Sequence, residues 1–155
     1  MSRAAVWALA AVLAASVAGC KNNVMPPPLA KVPTDQTKFE WEHANLQLRD
    51  LEHRAMTDAS LMDQVYEQQL VVADIEWTLG WLPVNTYHTR RRDSLTRLRD
   101  WTEHRIKKGD RTQMDWDVAH LRVLRERMIL GDLLRDSYEA ERGALRQRLA
   151  QSAAA

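Results

Sequence analysis

The chain opens on an uncharged run, Ala4 to Val17, behind Arg3, and then changes character twice. The run has the length of the apolar core of a secretory signal and falls short of the ~20 apolar residues that a spanning helix needs. Lys21 to Pro33 follows with four of the chain's five prolines and no apolar period, a pattern that predicts an extended tether. Beyond it, apolar or small residues recur at Trp41, Ala44, Leu48, Leu51 and Ala55. Their three-four spacing predicts a helix with a coiled-coil-like seam. Thr37-Lys38-Phe39-Glu40, just ahead, has the form of a capping box.

After the polar cluster Thr57-Asp58-Ala59-Ser60 the stripe resumes in a changed register at Leu61, Val65, Val72, Ile75, Leu79 and Leu82. The cluster admits either a break or a solvated turn of one long helix, and continuity is the favoured expectation. Gly80 and Pro83 then end the helix, as a glycine followed by proline commonly does. A second helix is expected from Asn85 or Thr86, carrying Tyr87, Leu95, Leu98, Trp101 and Ile106 up to Lys107-Lys108-Gly109. Thr112-Gln113-Met114-Asp115 resembles a further capping box. It opens a third helix with Met114, Val118, Leu121, Leu124, Met128, Leu134, Tyr138, Leu145 and Leu149 on its stripe, in which Gly131 and Gly143 mark kinks or close approaches. The expected fold is all-α, an antiparallel helical hairpin or three-helix bundle with long coiled-coil-like helices. The boundaries are residues 1–19 for the signal, 20–36 for the tether, 37–151 for the helical domain and 152–155 for a frayed tail.

Charge sharpens that topology. Lys38 to Leu82 holds three basic and nine acidic residues, Pro83 to Thr112 nine basic and four acidic, and Gln113 to Gln151 seven of each. An acidic helix joined by a short turn to a basic one favours an antiparallel pair, with the third helix covering its apolar face. The chain's formal charge of +1 gives no global argument for a nucleic-acid partner.

The chain's one cysteine closes the apolar run, in Val17-Ala18-Gly19-Cys20. This segment resembles the lipobox of bacterial lipoproteins. The resemblance implies cleavage between Gly19 and Cys20 and a diacylglyceryl thioether on the Cys20 sulfur, the one covalent lipid and no other cofactor. A single cysteine at that position also rules out a disulfide within the monomer. Acyl chains contribute ~0.8 kcal/mol per buried methylene, so two or more give stable anchoring. Lys21 is not the aspartate that retains enteric lipoproteins in the inner membrane, so by the same resemblance the protein is expected in the outer membrane, facing the periplasm.

The domain itself holds few chemical candidates. Glu40-x-x-His43, Asp50-x-x-His53 and Asp117-x-x-His120 have the spacing of carboxylate-bridged metal sites in bundles, but they lie among polar positions and are read as solvated, with no metal. No Gly-x-Ser-x-Gly or His-Glu-x-x-His occurs, and an enzyme is not expected. Trp77 and Trp81, next to Leu82 and the apolar Leu70-Val71-Val72-Ala73, make a segment apolar on more than one face, which suits either the core or a partner. Arg90-Arg91-Arg92 sits near a helix start, where it either pairs with the acidic helix or meets an anionic surface. These six residues, Trp77, Trp81, Leu82, Arg90, Arg91 and Arg92, are the candidate partner-binding set.

The functional expectation is a membrane-anchored envelope lipoprotein acting as a structural or assembly accessory through protein–protein interaction, with homo-oligomerisation compatible with the pattern. Helical pilotin lipoproteins fit this physical form without a motif match. The alternative is a periplasmic chaperone or metal-stress protein resembling the Spy and CpxP family. Its Leu-Thr-x-x-Gln motif is approached only by Leu95-Thr96-Arg97-Leu98-Arg99, with Arg99 in place of glutamine.

Overall fold

A computed structural model describes residues 34–153, so the signal run, Cys20 and the proline-rich segment lie outside the described residues. The described residues fold as an all-α bundle of five helices, α1 Asp35–Ala55, α2 Met62–Thr78, α3 Val84–Lys107, α4 Gln113–Leu130 and α5 Arg135–Ala153. No described helix is long and apolar enough to cross a membrane.

Two expected long helices are each divided. The first breaks at the polar cluster, where Asp58 is extended and its carboxylate accepts hydrogen bonds from the Ser60 amide at 2.9 Å and the Ser60 hydroxyl at 2.6 Å. Those local bonds compete with the helical ladder, and a short 3-10 turn, Ala59–Leu61, carries the chain into α2. The third helix ends at Leu130 because Gly131 adopts φ +81°, left-handed and favourable to glycine. The Asp132 and Gly131 amides then donate back to the Arg127 and Met128 carbonyls, at 2.8 and 3.1 Å, closing a Schellman motif. Gly131 is therefore a stop and not a kink.

The caps follow the same local chemistry. Thr112 and Asp115 form the expected capping box at the start of α4. The cap of α1 is Thr34 and not Thr37: the Thr37 amide donates to the Thr34 hydroxyl at 3.2 Å, and the cap lies three residues earlier than expected. At the other end, α5 runs to Ala153, into the expected frayed tail.

Each helix packs on the one before it and the one after it, and the cross-links show every neighbouring pair to be antiparallel. Trp41 near the start of α1 reaches Glu76 near the end of α2. Arg90 near the start of α3 reaches Glu76 near the end of α2, His88 near the start of α3 reaches Glu126 near the end of α4, and Arg148 late in α5 reaches Asp117 early in α4. The predicted α1 seam faces α2, with Ala44 buried and small enough for Gln68 to donate to its carbonyl at 3.0 Å. Lying between α1 and α3, α2 buries Val65, Leu70, Val72 and Ala73, which accounts for its wide apolar arc. Leu70, Leu95, Leu98 and Val123 form the central core, and Leu124, Tyr138 and Leu145 join α4 to α5.

Candidate functional site

At one end of the bundle the acidic α2 and the basic α3 meet as their charges predict. Glu126 of α4 is 4% exposed, and its carboxylate lies 2.7 Å from His88 Nδ1 and accepts from Arg91 Nε at 2.9 Å. Arg91 also pairs with Asp74, which accepts the Tyr87 hydroxyl at 2.9 Å. Tyr87 stacks on Trp77 at 4.8 Å, and burial pushes its hydroxyl pKa up to about 12. Burial works against the Arg91 charge, but its bonds to Glu126 and Asp74 hold its pKa above the ordinary value. This network joins three helices, and its groups satisfy one another.

The six predicted partner-binding residues all fall in this end region, in different settings. Arg90 pairs with Glu76 at 2.6 Å, Arg91 with Asp74 and Glu126, and Arg92 with Asp132 and Asp93 at 2.9 Å. Trp77 is half-buried against Tyr87, and Leu82 is half-buried in the α2–α3 turn. Trp81 stands edge-on to Trp41 at 5.1 Å and keeps 46% of its surface exposed.

A second feature escaped the sequence reading. Between α2 and α4, with α3 as its floor, runs an open groove of about 540 Å³. Leu98 and Trp101 line the floor, while Val71, Met114 and Val118 line the walls at 44%, 45% and 47% exposure. Met114 and Val118 were expected in the core; they face this groove because α4 packs on α3 and α5 and leaves its α2-facing side open. Arg111 pairs with Asp63 across the groove, and Arg122 with Glu67 at 3.0 Å. All four side chains are accessible to solvent, so these straps are weak and open at small cost.

The carboxylate–histidine pairs divide. Glu40, His43, Asp50 and His53 are exposed as expected. Asp117, expected to be solvated, is 2% exposed: Arg148 donates to both of its oxygens, at 2.9 and 3.2 Å, and Gln113 to one at 3.3 Å. The Arg148 bonds hold its pKa below the ordinary carboxylate value. His120 stacks on Trp116 at 4.5 Å, and burial, aided by the Arg99 charge, lowers its pKa. Among the described residues no three histidine, cysteine or acidic side chains converge as a metal site. No protein family, curated protein or solved structure matches this chain.

Proposed function

We propose that this protein is a lipoprotein of the bacterial envelope, held at the periplasmic face of the outer membrane by the lipid on Cys20, and that its helical domain serves as a structural or assembly accessory. The observation that carries the accessory role is the groove: three apolar side chains nearly half exposed, Val71, Met114 and Val118, over an apolar floor. Exposed apolar surface of this kind, rimmed by charge, marks interaction sites. The occupant of best fit is an amphipathic helix of an envelope protein, its apolar face set between α2 and α4 and its flanking charges exchanging with the Asp63–Arg111 and Glu67–Arg122 straps. A role in binding rather than catalysis accords with the end network, whose charged groups are committed to one another.

A photo-crosslinking residue at Val118 in cells tests this. The expected result is one discrete adduct that V71E combined with M114E abolishes, with none from the same residue at the exposed Glu139. No adduct at Val118 above that at Glu139 would remove the accessory reading. A smear of many adducts, together with suppression of aggregation by the purified protein, would favour the chaperone instead.

A further inference from the structure

The two ends of the bundle differ in the charge of their turns, beyond what the buried Leu79 and the packed Leu133 account for. Because neighbouring helices are antiparallel, one end gathers the start of α1, the α2–α3 turn and the α4–α5 turn. The other gathers the α1–α2 and α3–α4 turns. At the first end, Thr78 to Thr86 crosses from α2 to α3 through nine residues without a charge, Thr-Leu-Gly-Trp-Leu-Pro-Val-Asn-Thr. Met128 to Leu134 crosses from α4 to α5 with a single charge, Asp132, which Arg92 neutralises at 2.9 Å. At the second end the α3–α4 turn reads Lys107-Lys108-Gly109-Asp110-Arg111, and the α1–α2 turn carries the polar Thr57-Asp58-Ala59-Ser60 beside one exposed apolar side chain, Met56 at 82%. Turns are ordinarily polar because their backbone faces water. The apolar pair is the exception.

The side chains at that end are also presented outward. Leu134 is 78% exposed, Phe39 on the second turn of α1 is 66% exposed, and Trp81 is 46% exposed. Tryptophan beside aliphatic residues suits the boundary between headgroups and acyl chains, where a flat ring with one polar edge is favoured. The arginines of this end, Arg90, Arg91 and Arg92, are each paired with a carboxylate of the fold, so the match of its exposed apolar residues is the boundary layer of a bilayer and not an anionic surface.

The position of the chain's amino-terminal segment names the occupant. Thr34, from which the residues leading back to Cys20 depart, caps α1 at this same end. Fourteen residues, Cys20 to Pro33, lie between it and the proposed lipid, a reach of at most about 50 Å. An anchor on so short a leash raises the effective concentration of the near end at the bilayer to the millimolar range, so a contact too weak to bind by itself is populated.

We infer that the end of the bundle bearing Phe39, Trp81 and Leu134 rests on the lipid bilayer, with Trp81 and Leu134 in its interfacial layer and the groove facing sideways toward partners. This rests on the lipoprotein reading and adds an orientation to it. The tether length then sets the greatest stand-off of the domain, not its resting distance.

The test uses the full lipidated protein in vesicles of phosphatidylethanolamine and phosphatidylglycerol containing a brominated lipid. An environment-sensitive fluorophore is attached to W81C or L134C at the near end, or to M56C or K108C at the far end. The thioether blocks Cys20, so each variant takes one label. The expected result is blue-shifted emission and strong bromolipid quenching at positions 81 and 134, unchanged by high salt, and water-like emission at 56 and 108. The unlabelled W81F protein, a milder change, should lose most of the bromolipid quenching of its intrinsic fluorescence. The inference is overturned if all four labels report water, or if 81 and 134 are shielded only when envelope proteins are added and bromolipid does not quench them. The intact mass of the same preparation separates the two readings: with lipid on Cys20 and water-like labels only the orientation fails, whereas a free Cys20 thiol overturns the lipoprotein reading and the orientation with it.

Discussion

Glu126 is a carboxylate taken almost wholly out of water, and it is tolerated there because His88 and Arg91 stand at its two oxygens. Removing Glu126 takes the partner from His88 and leaves the largely buried Arg91 with Asp74 alone. Glu126→Ala is therefore expected to lower the free energy of unfolding by about 3 kcal/mol, read from urea denaturation. Glu139→Ala, which removes an exposed pair with Arg142, should change it by less than about 1 kcal/mol. The pH dependence of stability has its residue-scale origin in α4. The folded pKa of His120 lies below its ordinary 6.5, so the folded state resists protonation. Its contribution is complete above pH 6.5 and is lost as the pH falls through that value. Asp117, also depressed, contributes fully above 3.8 and loses its contribution below. The urea midpoint should accordingly fall in two stages on acidification, and His120→Phe, which keeps the stacking on Trp116, should remove the upper stage alone.

At the scale of elements, α5 packs on α4 and on no other described helix, through Tyr138 and Leu145 against Leu124. Leu145, 2% exposed, is its main anchor. Leu145→Ala should cost about 3 kcal/mol, and hydrogen exchange should show it locally, with faster exchange over Arg135–Ala153 and none of that acceleration in α2 or α3. The helices themselves were legible in the residues: the α1 seam, the capping box at Thr112, the stop at Gly80 and the charge-matched α2–α3 pair all follow from spacing and sign. The two breaks were not. Asp58 and Ser60 suit a solvated helical turn as well as a break, and only their bonds to each other decide it. Around Gly131 the apolar spacing runs on through Leu134 to Tyr138 as if one helix continued, yet Leu134 lies in the turn.

For the whole molecule, what spacing leaves open is which neighbour each stripe meets. Met114 and Val118 have the period of core residues, and the open row of helices turns them into the wall of a groove, because α3 fills the space between α2 and α4 without closing it. Trp81, whose setting suits either the core or a partner by sequence, keeps 46% of its surface exposed and so departs from the core reading. Of the three arginines beside it, Arg90 and Arg91 pair with Glu76 and Asp74 of the acidic α2 as their sign predicts, whereas Arg92 pairs with Asp132 and Asp93. On the proposed reading the groove, the apolar end and the anchor belong to one object, in which attachment and partner binding would occupy different faces. Mass spectrometry of the intact protein extracted from membranes tests the anchor on which this account depends. It predicts a chain that begins at Cys20 and carries a diacylglyceryl group. A membrane-extracted chain that still begins at Met1, or one that begins at Cys20 with a free thiol, would contradict it.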